Sequence, residues 1–173
     1  KMTSDGAFIA AWGELGSKPG QFEAPWGLAL DNQGQVYVSD WGNNRVQKFS
    51  LDGKYISQFG SKGSDDGQFN MPWGLHVDEV GDIYVVDWRN DRVQKFTSQG
   101  DFLLEFGGSG RNEGQFSRPS GIAVDAEGDI YVADPPNDRI QYFNAEGRYI
   151  DKFVGDSTLS KSGRNYILTN ARE

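Results

Sequence analysis

The sequence contains no cysteine, which excludes disulfides, thiolate nucleophiles and cysteine-ligated zinc sites but assigns no compartment. Histidine occurs once, at His76, so a zinc site built from several histidines is excluded within this chain. Basic residues are outnumbered: 17 Lys and Arg against 25 Asp and Glu give a net charge of −8. Contact with phosphates calls for clustered Lys and Arg, so nucleic acid is disfavoured as a partner, and so is an anionic membrane surface. No apolar run approaches the length of a membrane span. The apolar stretch 7–12 is too short for the core of a signal peptide. Lys1 comes first and Met2 second. This reads as a processed chain or a piece of a longer one, with any export signal outside these residues.

What is present is glycine, with 23 copies, and aromatic residues, at 13% with five Trp. Both fit short strands joined by tight turns, in a chain of 173 residues that is long enough to bury a sizeable core. The organising feature is a repeat. Gly20-Gln21-Phe22 recurs as Gly67-Gln68-Phe69 and as Gly114-Gln115-Phe116, both steps being 47 residues. Pro25, Pro72 and Pro119 follow in register, each two residues before Gly27, Gly74 or Gly121.

Each copy carries four strand signals. The first is an apolar run, at 28–30, 75–77 and 122–124. A turn follows, holding Asp31 and Gly34, Asp78 and Gly81, or Asp125 and Gly128. The second strand, at 36–38, 83–85 and 130–132, is β-branched and aromatic. The third, at 45–49, 92–96 and 139–143, alternates apolar and polar positions, so one face is expected to be buried and the other solvated. The fourth covers 55–59, 102–106 and 149–153. No helical period of useful length is present. Four antiparallel strands in a repeat of this length predict an all-β fold, a β-propeller with one blade per repeat, at about 20–60, 67–107 and 114–154. Such a blade cannot fold alone, and packing against its neighbours buries its faces.

The pattern P-x-G-[IL]-x-[VL]-D, then G-x-[IV]-Y-V-x-D, then N-x-R-[IV]-Q-x-F, resembles the NHL-repeat family, and all three copies carry it. The resemblance implies a propeller, commonly of six blades. It spans RNA-binding developmental regulators, sensor domains of bacterial receptor kinases, a peptide-amidating lyase and exported bacterial proteins. The family's repeat residues fall on Asp40, Asn43 and Arg45, on Asp87, Asn90 and Arg92, and on Asp134, Asn137 and Arg139. We read these as scaffold, because Asp and Asn close their own turns and Arg pairs with a carboxylate across the blade.

Ser4 to Trp12 aligns with Leu51 to Phe59, so residues 1–13 are expected to be the last strand of a preceding blade. Three complete blades follow. The tail at 155–173 diverges, with one further strand signal at Tyr166 to Thr169. Three blades do not close a ring. The open faces are expected to be covered by further blades of a longer chain, by self-association or by a partner chain.

The candidate site lies where the copies differ. Trp26 and Trp73 stand between the repeat's Pro and Gly, where the third copy has Ser120. Trp41 and Trp88 follow the second strand, where the third copy has Pro135. The loops before the first strand and after the second emerge on one face of a propeller, so these four Trp should share it. Such a surface suits a sugar ring, a peptide aromatic or a cationic group; the structural alternative is that the rings wedge neighbouring loops together. His76 replaces Ala29 and Ala123 in the innermost strand and is expected to face a neighbouring blade or the channel. No nucleophile is indicated beside it, and the metal centre of the amidating lyase has no counterpart. Asp31, Asp78 and Asp125 are expected to form turns. The glycine loops at 60–63 and 107–110 lack a phosphate-loop ending.

The leading expectation is therefore a non-catalytic binding or scaffold module without a cofactor. It would present the Trp face, with His76 nearby, to a protein, peptide or carbohydrate. One alternative is a structural subunit whose open blades are covered by partner chains. Another is a propeller enzyme, lyase- or lactonase-like, with its site at the channel.

Overall fold

In the computed structural model, residues 1–154 are described; the strand signal at Tyr166 to Thr169 lies outside them. Twelve strands form three four-stranded antiparallel sheets. The first sheet is β1 (Pro25–Leu30), β2 (Val36–Asp40), β3 (Arg45–Phe49) and β4 (Tyr55–Phe59). The second is β5 (Pro72–Val77), β6 (Ile83–Asp87), β7 (Arg92–Phe96) and β8 (Phe102–Gly107). The third is β9 (Ile122–Val124), β10 (Ile130–Asp134), β11 (Arg139–Phe143) and β12 (Tyr149–Val154). Strands follow one another across each sheet in chain order. Each sheet is one blade, and the three are consecutive blades of a β-propeller.

The strands differ from the pattern in three places. The first strand of blades one and two begins at the repeat's Pro, three residues early, with a register shift before Leu28 and Leu75. The second strand runs on to Asp40, Asp87 and Asp134, which pair in register with Arg45, Arg92 and Arg139. In blade three the turn after that strand is a short 3-10 turn over Pro135–Asn137, where two prolines lack the N–H that a ladder needs.

The blades pack face to face through apolar side chains. Ala29, Tyr37, Val46 and Phe59 of blade one meet Leu75, Val77, Ile83, Val85 and Phe96 of blade two. Tyr84, Val86, Val93 and Phe106 of blade two meet Ile122, Val124, Ile130, Val132 and Phe143 of blade three in the same way. The phenyl rings of the second and third Gly-Gln-Phe sit in these layers, Phe69 in the first and Phe116 in the second. The innermost strands approach closely, which explains the repeat's Pro-x-Gly. A Cβ on Gly74 would stand 2.4 Å from the Ser120 carbonyl oxygen, and one on Gly27 2.5 Å from that of Trp73.

The remaining face of blade one is covered only in part. Val36, Val38 and Phe49 are buried there under Trp12 and Phe22, but Leu28 and Leu30 are 68% and 59% exposed, against 7% for the equivalent Leu75 and Val77. Ahead of this face, residues 1–13 carry only an isolated bridge from Met2 to Phe8. The Trp12 ring nevertheless lies against Gly53 as Phe59 lies against Gly100 and Phe106 against Gly147, with a glycine Cβ in each case meeting the ring at 2.6 to 2.7 Å.

Candidate functional site

The polar residues that the repeat preserves form one buried cluster per blade. In blade one the Asp40 carboxylate accepts the Glu23 N–H at 3.0 Å and the Ala24 N–H at 3.3 Å through one oxygen. Its other oxygen accepts Asn43 Nδ2 at 2.8 Å and Arg45 Nε at 3.0 Å. Arg45 donates onward to the carbonyls of Ser17, Lys18 and Gln21 and to the Gln58 side chain. Gln47 donates to the Gln21 carbonyl and accepts the Gly20 N–H. Blades two and three repeat the arrangement around Asp87–Arg92 and Asp134–Arg139. Burial pushes the Asp87 carboxyl up from the ordinary carboxylate value, opposed by its hydrogen bonds from Asn70, Asn90 and Arg92. The cluster gives every nitrogen of each buried guanidinium an acceptor and pins the Gly-Gln-Phe loop to the hairpin that follows. That is architecture, repeated once per blade.

Asp31, Asp78 and Asp125 have an equally local task. Asp31 accepts the N–H groups of Gln33 and Gln35 at 2.9 and 2.8 Å, and the Tyr37 hydroxyl donates to its other oxygen at 3.2 Å. The same bonds recur at Asp78 and Asp125. These carboxylates close their own turns.

The four Trp are brought together. Trp73 is the centre: its ring centroid lies 4.2 Å from that of Trp26, 6.2 Å from Trp41 and 5.4 Å from Trp88, the last pair stacked. Trp26 is 56% exposed, and the other three are half-buried. The cluster therefore straddles the boundary between blades one and two. Beside it a cleft of about 430 Å³ is lined by Trp41, Glu23, Lys62, Asn70, Met71 and Arg89 among others. At the far end of the cluster the guanidinium groups of Arg118 and Arg89 lie 5.1 and 5.6 Å from the Trp88 ring centroid.

These three cations were not singled out from the sequence. The signal was there in the repeat: Arg118 stands where the other copies have Met71 and Ala24, and Arg89 where blade one has Gly42. His76 is apart from the indoles. It lies mid-strand in β5, opposite Tyr84, between Leu75 and Val77, which face blade one. Alternation along the strand puts its imidazole on the side of blade three. It is half-buried and makes no hydrogen bond or ion pair among the described residues. Burial lowers its pKa, and the Asp78 carboxylate opposes that shift.

Comparison with known proteins agrees with this architecture. The NHL repeat matches at residues 22–49, 69–96 and 116–143, once in each blade. Protein wech of Drosophila melanogaster is 45% identical over 50 residues, 29% of this chain and 6% of that protein. NHL repeat-containing protein 3 of Homo sapiens is 39% identical over 49 residues, 28% of this chain and 14% of that protein. Among solved structures, a streptogramin B lyase superposes with a TM-score of 0.63 at 22% identity, covering 82% of this chain and 43% of that one. A virginiamycin B lyase from Staphylococcus aureus superposes with a TM-score of 0.60 at 20% identity, covering 77% and 42%. The chain thus spans less than half the length of these relatives and structures, and the structural likeness concerns the fold. With one repeat seated on each of its three blades, the chain belongs to the NHL-repeat family.

Proposed function

We propose that the chain is a non-catalytic recognition module that presents the Trp26–Trp73–Trp41–Trp88 face to a protein or peptide. The observation that carries this reading is the contrast between two sets of residues. Everything the repeat preserves is engaged in turns, ion pairs and packing, whereas the four Trp are absent from blade three and gather at one blade boundary. Trp and Arg are the residue types that dominate binding energy at protein interfaces. A carbohydrate is the less favoured partner. A pyranose needs a free, flat indole face, and here Trp73 is engaged by three indoles and Trp88 by Trp73 and two guanidinium groups. His76, the one residue weighed as a catalytic base, stands outside this cluster.

Replacing Trp26 and Trp73 together by Ala is expected to weaken binding of a peptide or protein selected on the unaltered chain by at least about tenfold. The β-sheet circular dichroism should stay unchanged. Unaltered affinity in a folded double variant would refute the reading.

Leu28 and Leu30 favour a second, compatible reading as a structural unit. Their blade-two counterparts are buried by the neighbouring blade, so we infer that a further blade covers Leu28 and Leu30 as well. With Trp12 against Gly53 as Phe59 lies against Gly100, residues 1–13 would supply the last strand of that blade once its other strands are in place. Its other strands would come from elsewhere in a longer polypeptide, from a second copy or from a partner chain, in a ring of six blades.

A further inference from the structure

Around the indole cluster lie three cations, Lys62, Arg89 and Arg118, and none forms an ion pair or donates a side-chain hydrogen bond among the described residues. In a chain of net charge −8, such cations have ample carboxylates to pair with elsewhere. Instead two of them lie over the same ring. Their positions are set by the backbone. The Arg118 N–H donates to Asp91 Oδ1 at 2.6 Å, in a left-handed conformation with φ of 53°, and the Arg89 N–H donates to the Asn70 carbonyl at 3.1 Å. Neither Asp91 nor Glu23 forms an ion pair with them among the described residues. The second oxygen of Asp91 accepts the Ser109 hydroxyl at 2.5 Å, and Glu23 lies on the blade-one side of the cleft, against Gly42.

A guanidinium lying on an indole keeps its N–H groups free at the edge, where they match the two oxygens of a carboxylate. Stacking has also already restricted the side chain, so little further ordering is required when a carboxylate binds. Resting on the reading of the Trp face above, we propose that Arg89 and Arg118, ordered on Trp88, together with Lys62 in the adjoining cleft, receive the side-chain carboxylates of an acidic peptide segment. Apolar residues of that peptide would lie on Trp41 and Met71. The flexible Met71 thioether suits a varied apolar contact, and the mixed apolar and cationic lining matches a peptide in which Asp or Glu is interleaved with apolar residues.

The test is selection from a random peptide library displayed on phage, using the full 173-residue chain as bait, followed by fluorescence anisotropy with the recovered peptide. Recovered sequences should be enriched in Asp and Glu. Their Kd should weaken by about tenfold or more in the Arg89→Gln, Arg118→Gln double variant, and less in Arg118→Lys, which keeps the charge but loses the fork. Binding should also weaken with added salt. The proposal is overturned if no acidic peptide is recovered, if polygalacturonate alone binds, or if the double variant, folded by circular dichroism, binds as tightly. Measuring the same peptides on Trp26→Ala, Trp73→Ala separates the two readings. Loss there without loss in the arginine variants removes only this proposal, and no loss in either removes both.

Discussion

Asp87→Ala is expected to destabilise the chain by about 3–5 kcal/mol, read as a lower urea midpoint. The carboxylate is fully buried and accepts the Asn70 N–H at 2.7 Å, Asn90 Nδ2 at 2.8 Å and Arg92 Nε at 2.9 Å. Its loss would leave the Arg92 guanidinium, itself almost buried, with only the half-exposed Glu105 as a counter-charge. A buried charge stripped of its main partner costs more than the pair contributes, because Arg92 Nε has given up its water and would lose the carboxylate that replaced it. The Asn70 N–H would lose its acceptor as well. Asp87→Asn should fall between the two proteins, since it keeps an acceptor and loses the charge. A cost below about 1 kcal/mol, the level of an exposed ion pair, would mean that this cluster is not the scaffold we describe. It would return Asp87, Asn90 and Arg92 to the set of candidate site residues.

Phe69→Ala should cost a similar amount, about 3–5 kcal/mol. The ring is fully buried, 5.5 Å from Phe96 and 6.3 Å from Phe59 between centroids, in the layer that joins blades one and two. No neighbouring side chain is free to fill the void, because each is already fixed in the same layer. Phe22 supplies an internal comparison. It is the same residue of the repeat, yet it is only partly buried, on the partly covered face of blade one. Phe22→Ala should therefore cost distinctly less than Phe69→Ala. Equal costs would show that a second copy of the chain covers this face in solution, one of the sources of a further blade named above.

Much of this architecture was legible in the sequence, for reasons that particular residues make clear. A 47-residue period fixed which positions are equivalent. The patterns in Arg45–Phe49 and Val36–Val38 then identified strands that the structure contains, but the polar positions Arg45 and Gln47, expected on a solvated face, are buried by their hydrogen bonds to the Gly-Gln-Phe loop. The turn roles of Asp31, Asp78 and Asp125 were legible because an Asx turn is a local event. The bulged start of β1 was not, since it depends on Asp40 reaching back to the Glu23 and Ala24 N–H groups, a contact made only once the hairpin has formed.

The site divides along the same line. That Trp26, Trp41, Trp73 and Trp88 share a face followed from which loops a blade sends to which end. How they meet did not follow. The stacking of Trp73 on Trp88 and the seating of Arg118 over that ring join loops of different blades, and no local pattern encodes such a contact. His76 shows the opposite case. A residue conspicuous because it occurs once in the sequence lies mid-strand in β5, apart from the indole cluster near which it was expected.

Hydrogen exchange with a bound peptide tests the central claim most directly, because it maps the contact without altering a residue. The account predicts added protection in the loops that carry the indoles and their cations, around residues 23–27, 41–44, 70–74, 88–91 and 117–120. Exchange at Asp40, Asp87 and Asp134 and along β1 at Leu28–Leu30 should be unchanged. Protection confined to Leu28–Leu30 and the Trp12 face, with the indole loops unaffected, would contradict it and leave the chain as a structural unit whose open blade is the surface that matters.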